Sequence, residues 1–337
     1  MKKIKVIQFG LGPIGIESLK LAARQSWLEI VGGVDLDPAK VGRTLATLTG
    51  VNRLEGVRVF PNLEALFAAV GRPDVVLHTA GSSAAASFAQ MKPALAQGVS
   101  VASTCEELIF PALKTPDLAR EFDELCRRSG ARIAGTGVNP GFVMDLLPIC
   151  LTGVSREVTS IYVERVVNAS TRRQPLQAKI GSGQNPDDFR ARFAAGQAGH
   201  AGFQQSIALL AHAMGWPLDE IRETCEPVVA TSRVVTQHFD VAPGQSLGIH
   251  QRCVGLTGGE TRIRLDLQMY LDAPLPHDAI VIKGRPELNL VLNGGVAGDD
   301  ATVAALINIV PRLLAAAPGV RLIPELALPG WQNPSRA

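Results

Sequence analysis

Between Ile4 and about Ala134, short apolar runs rich in β-formers alternate with stretches of helical period. The strands read IKVIQF, EIVGGVD, DVVLHTA, SVAST and ARIAG; the helices read PIGIESLKLAARQ, NLEALFAAV, SAAASFAQMKPALAQ and LAREFDELCRRS. Strict alternation of this kind predicts right-handed crossovers and a parallel sheet with helices on both faces. After Leu151 the rhythm changes. VTSIYVERVV, TRIRLDLQMYL and DAIVIKG alternate polar with apolar positions, and helical stretches surround DDFRARFAAG and FQQSIALLAHAMGW. That pattern predicts an α+β domain with a mostly antiparallel sheet. The closing run ATVAALINIVPRLLAAAPG is apolar on nearly all sides, so it reads as one buried helix that returns to the first domain. The expected division is 1–150 together with 298–337, and 151–297.

Glycines mark where the first strand meets its helix. Gly10, Gly12 and Gly15, with Pro13 and Ile14 between the last two, form GxGxxG directly after IKVIQF and open a helix. In that setting the first two glycines admit backbone N–H groups to a pyrophosphate and the third permits close helix–strand packing. Asp35 closes the second strand, where an acid that reads the adenosine ribose belongs. The sheet is therefore expected to be a doubly wound Rossmann sheet that binds a dinucleotide. Asp35 repels a 2′-phosphate and favours NAD. Lys40 and Arg43 either soften that repulsion, leaving NADP or dual use open, or belong to an ordinary solvated face.

Further along, Thr79, Ala80, Gly81 and Ser82 follow the fourth strand, where small residues give the nicotinamide half of a cofactor room. The same residues also suit a plain turn capped by Ser82 or Ser83. Thr104 and Cys105 close the next strand beside the cofactor, and Glu106 and Glu107 follow on the ligand side of the sheet. Glu106 is the candidate general base; Glu107 is either a second candidate or an acid at a helix start. The next strand leads into GTGVNPGF, residues 135–142. There Asn139 offers an amide to a carboxamide, Pro140 stiffens the loop and Phe142 supplies an apolar wall, with the glycines expected to wrap the nicotinamide. Asn139 and Pro140 also fit a turn into FVMDLLPICL.

Composition narrows the class. A chain of 337 residues with 46% hydrophobic and 19% charged positions has material for two cores. Dispersed charges netting +2 and 5% aromatics argue against a nucleic-acid partner. No segment has membrane-spanning length, and the apolar run after the basic start is too short for a signal peptide. Five widely spaced cysteines without a CxxC pair suit the cytoplasm, with no metal site expected.

GLGPIG at 10–15, VDLDPAKVGR at 34–43, STCEEL at 103–108 and GTGVNPGFVMD at 135–145 resemble the 2,4-diaminopentanoate dehydrogenases and native amine dehydrogenases, within the dihydrodipicolinate reductase-like group. RRQPLQAKIGSG, GHAGFQQS and DDATVAALINIVPRLLAAAPG extend the resemblance over essentially the whole chain. It implies NAD(P)-dependent oxidative deamination of an amine to a ketone, reductive amination with ammonia as the reverse, Glu106 as the catalytic glutamate and a homodimer formed through the second domain's sheet. The HHxxK run of dihydrodipicolinate reductases is absent, which argues against that reaction.

With this chemistry, Phe142, Val143, Leu176 and Thr302 are candidates to wall the substrate and keep Glu106 partly desolvated. Of the six histidines only His200, flanked by glycines, is kept as a pocket residue. A diamino acid as substrate would need a cationic clamp, for which Arg172 and Arg173 are available. The rival from another class is a non-catalytic NAD(P)H sensor, which has no need of the carboxylate pair.

Overall fold

Chain contacts divide the protein into two units, Met1–Phe142 with Ala297–Ala337, and Val143–Val296. The computed structural model describes residues 3–334, so two residues of the expected stretch 1–150 and three of 298–337 lie outside it. The boundary falls ahead of the helix that the sequence pattern assigned to the first domain.

In the first unit, β1 (Ile4–Phe9), α1 (Pro13–Ala23), β2 (Leu28–Val34), α2 (Leu45–Thr49), β3 (Val59–Phe60), α3 (Leu63–Val70), β4 (Val75–His78), α4 (Ala84–Ala96), β5 (Ser100–Ser103), α5 (Pro116–Ser129) and β6 (Arg132–Gly135) follow in order. All their strand pairings are parallel, in the order β6-β5-β4-β1-β2-β3. The order reverses between β1 and β4, and beyond the carboxyl ends at such a switch point ligands bind. Local chemistry sets the helix limits: α5 starts with Pro116 and Asp117 and ends with Arg127 and Arg128 before a left-handed Gly130.

The second unit runs α6 (Leu146–Thr152), β7 (Glu157–Asn168), α7 (Gln174–Lys179), α8 (Pro186–Ala194), α9 (Phe203–Met214), β8 (Glu220–Val229), the ribbon strands β9 (Val234–Val235) and β10 (Asp240–Val241), β11 (Ser246–Thr257), β12 (Glu260–Tyr270), β13 (His277–Arg285) and β14 (Leu288–Asn293). Its six-stranded sheet has the order β14-β13-β7-β12-β11-β8, with β7 and β12 parallel and the other neighbours antiparallel. α9 lies against β8, β11 and β12. On the opposite pleat, Arg264 stacks over Tyr162 and donates to Asp266, which also accepts from Arg252 and His250.

The chain then returns to the first unit as α10 (Gly298–Asn308), α11 (Val310–Ala315) and β15 (Gly319–Val320), which pairs with β6. One continuous helix was expected; the structure has two. Pro311 cannot donate the N–H that would continue the ladder, so the helix restarts around it. Leu306, Ile307, Ile309, Val310 and Leu313 are buried with Val6, Leu19 and Ala22 in one core cluster.

Candidate functional site

The three glycines after β1 are required for three different reasons. Gly10 adopts φ 88°, in the left-handed region, and a Cβ there would meet Thr79 and Ala80 at 3.1 Å. A Cβ on Gly15 would lie 1.9 Å from the Gly10 carbonyl, so packing of α1 on the loop demands it. Gly12 has an ordinary φ of −73°, and a Cβ there would find no atom within 4 Å. Neither conformation nor protein packing calls for glycine there, and the remaining reason is the approach of a ligand. Gly12 also caps α1 without any side-chain hydrogen bond, and Pro13, which has no N–H, opens the helix, so it is the first-turn N–H of Ile14 that is left to face an anion.

Buried groups hold this loop in shape. Gln8, fully buried in β1, donates to the Gly10 carbonyl at 3.2 Å and to Thr79 Oγ1 at 2.9 Å, and Thr79 Oγ1 donates to Gly10 O at 2.9 Å. Asp35 accepts from Leu11 N at 2.7 Å, Asp37 N at 2.9 Å and Lys40 Nζ at 3.2 Å. Burial pushes its pKa up, but these donors outweigh burial and hold the carboxyl below its ordinary value. Lys40 therefore sits on Asp35 rather than in solvent alone, while Arg43 is exposed.

Beyond β4, Gly81 has φ 88°, and the turn through Ala80 and Ser82 enters α4. Ser83 caps α4 by accepting from Ala86 N. Glu107, from a distant segment, accepts from Ala84 N at 2.9 Å and from Lys114 at 3.0 Å, while its own N–H donates to Ser82 O. Glu107 is thus committed to the start of α4. Thr104 is half-buried. The Cys105 side chain is buried in the core cluster with Phe88 and Leu108, where burial raises its thiol pKa, so only its backbone remains to meet a cofactor. Glu106 opens the 3-10 helix Glu106–Ile109 at the carboxyl end of β5.

Packing within the protein already requires the glycines of GTGVNPGF. A Cβ on Gly135 would meet Leu108 C at 2.6 Å and Ile109 N at 2.7 Å, so Gly135 lets the Glu106–Ile109 helix lie directly on β6. Gly137 and Gly141 approach each other so closely that a Cβ on Gly141 would lie 2.4 Å from Gly137 N, across a turn whose Asn139–Pro140 peptide is cis. Asn139 Nδ2 is buried without a hydrogen-bond partner among the described residues. A donor left so in protein is one that a ligand carbonyl can satisfy.

Of the substrate candidates, Phe142 and Thr302 belong to the first unit, with Phe142 38% exposed; Leu176 and His200 belong to the second. Val143 is fully buried and offers no side-chain surface to a substrate. His200 Nδ1 lies 2.9 Å from Ala201 O, and its main chain exchanges hydrogen bonds with the Gln251 amide. Burial lowers its pKa to about 4, and Lys179, Arg165 and Arg172 add to the decrease. No group of acidic, histidine or cysteine side chains that could hold a metal occurs among the described residues, and no helix there is long and apolar enough to cross a membrane.

Sequence reading missed Gln8, His78 and Ser103, each a fully buried polar side chain in a strand of the parallel sheet. For His78, the one polar residue of the apolar run VVLH, that contrast is itself the signal that finds it.

Residues 142–333 match the family model of the 2,4-diaminopentanoate dehydrogenase C-terminal domain. A 2,4-diaminopentanoate dehydrogenase from Acetoanaerobium sticklandii is 30% identical over 98% of this chain and 95% of its own. An amine dehydrogenase from Streptomyces virginiae is 26% identical over 94% of each chain. The solved amine dehydrogenase of Mycobacterium smegmatis shares the fold with a TM-score of 0.85 at 22% identity, covering 98% of this chain and 97% of that one.

Proposed function

Because the chain belongs to the 2,4-diaminopentanoate dehydrogenase family, we propose that it is an NAD(P)-dependent amine dehydrogenase, converting an amine to a ketone and, in reverse, aminating a ketone with ammonia. The observation that carries this reading is Glu106 at the carboxyl end of β5, in the sheet whose β1 end presents the open cradle at Gly12. When bound, a nicotinamide dinucleotide supplies the acceptor for the substrate's hydride. Gly10, Gly12 and the first turn of α1 hold its pyrophosphate, Asp35 its ribose, and Asn139 Nδ2 pairs with a carbonyl oxygen.

The amine enters as an ammonium ion, and Glu106 takes one of its protons so that the nitrogen lone pair can form the C=N bond as hydride leaves carbon. Glu106 gives that proton up to solvent, and as water adds to the iminium carbon it accepts the proton that water sheds. It passes this proton to the nitrogen and then takes the hydroxyl proton as the C–N bond breaks, releasing ammonia and the ketone. In reverse the same carboxylic acid protonates the carbinolamine hydroxyl so that water departs. Glu107 is the less suited of the two, since one of its oxygens accepts from Ala84 N at the start of α4 and the other from Lys114.

We assign NAD as the preferred dinucleotide because of the ionised Asp35, with NADP tolerated through Lys40 beside it. We take the enzyme to be a cytoplasmic homodimer, its five cysteines being free. The second copy covers the pleat of Tyr162, Arg264 and Asp266, and light scattering in solution tests the dimer. Consumption of NADH on adding ammonia to a panel of ketones and keto acids tests the activity; no consumption with any of them would sink the reading. A diamino acid is the second candidate substrate, favoured by the 30% identical relative. Arg172, whose charge reaches Arg165 and His200 in the second unit, is suited to its carboxylate.

A further inference from the structure

We infer that Gln90, His78 and Ser103 form a hydrogen-bond array, buried at His78 and Ser103, that positions Glu106, a role that rests on Glu106 being the base. His78 ends β4, Ser103 ends β5, and the two are register partners in the sheet. His78 Nε2 lies 2.9 Å from Gln90 Oε1 and Nδ1 lies 2.8 Å from Ser103 Oγ. The direction of the array follows from what each atom is able to do. A carbonyl oxygen only accepts, so Nε2 carries the ring proton; Nδ1 then only accepts, so the Ser103 hydroxyl donates to it. The lone pairs left on Ser103 Oγ accept the Cys105 N–H at 3.0 Å. Cys105 is the residue from which the Glu106–Ile109 helix springs.

The array therefore runs one way, from α4 through the imidazole and hydroxyl to the peptide that precedes Glu106. On the far side, the Glu107 N–H donates to Ser82 O and the Glu107 carboxylate accepts from Ala84 N, so the backbone around Glu106 is strapped on both flanks. Both His78 and Ser103 are fully buried. Burial lowers the imidazole pKa to about 4, although the Gln90 hydrogen bond opposes the shift, and the ring stays neutral in its single tautomer at working pH. A neutral imidazole with both nitrogens engaged neither exchanges protons nor binds metal; what remains for it is orientation.

Ser103→Ala removes both hydrogen bonds of the hydroxyl with the smallest possible change inside β5. It should speed hydrogen exchange in the peptide covering 104–108 and lower kcat about 10- to 100-fold, since displacement of a base by about 1 Å has that effect. KM for the amine and Kd for NADH should stay within about twofold. His78→Leu should behave alike, whereas His78→Asn, which returns an acceptor toward Ser103, should recover most of the turnover. If kcat stays within about twofold of wild type in Ser103→Ala, the array is packing alone and the inference is wrong, whether or not His78→Leu folds. Glu106→Gln in the same series separates the two claims. Full activity there overturns the base itself, while loss there beside an unimpaired Ser103→Ala overturns only the positioning.

Discussion

Gly12 is the residue whose replacement should part binding from folding. Its Cβ position is open to 4 Å and its φ is ordinary, so Gly12→Val costs at most about 1 kcal/mol of helix capping yet fills the pyrophosphate cradle. Calorimetric titration should find no NADH binding to a chain that melts near wild type; unchanged affinity would remove this loop from the cofactor site. The two glutamates should separate as cleanly. Glu106→Gln is expected to lower kcat by ~10²–10⁴-fold with little change in NADH affinity, while Glu107→Gln mainly weakens the cap on α4, by about 1 kcal/mol in a thermal melt. Exchanged outcomes would move the base to Glu107. At Asp35, Asn keeps an acceptor for one of the loop N–H groups but removes the charge, so the ratio of NADP to NAD efficiency should rise about tenfold. A constant ratio would mean that Asp35 serves the loop and not the choice of cofactor.

The 3-10 helix Glu106–Ile109 and β6 are one device, because β6 has no side chain where that helix crosses it. In Gly135→Ala the new methyl would lie 2.6 Å from Leu108 backbone, and backbone cannot swing aside as a side chain does. The variant should lose about 2 kcal/mol or more of stability and lose kcat with it, as Glu106 is carried off with its helix. A stable and active variant would show that Glu106 tolerates displacement. At this scale the alternation of strand and helix was legible in the sequence because each apolar run carries its own period, and the place of Glu106 just past β5 was legible because a strand end is a local feature. The purpose of Gly135 was not. A glycine demanded by backbone from another segment and one demanded by a ligand look identical along the chain, and only the Leu108 contact tells them apart. Glu107 escaped for a related reason: the N–H it caps, on Ala84, belongs to a different element. Pro311 alone marked the break between α10 and α11, against an apolar pattern that runs straight through it.

For the whole molecule, acid should act through buried imidazoles before carboxylates. His78 and His200 are held near 4, against 6.5 for an exposed histidine. Between those values the unfolded chain binds protons that the folded chain refuses, so stability falls as pH drops from 6.5 toward 4, by on the order of 3 kcal/mol for the fully buried His78 and by less for the half-buried His200. Urea transitions at about pH 7.5 and about pH 5 measure this, and His78→Asn should show the smaller drop of the two chains. Equal drops would take His78 out of the account. The return of α10, α11 and β15 to the first unit has a consequence in time. A ribosome makes the glycine loop before the whole of the second unit, and Leu306, Ile307, Val310 and Leu313, which complete the core beside that loop, only after it. The first core therefore lacks one wall until the second unit has emerged, so the ability to hold a dinucleotide reports that the second unit has been made.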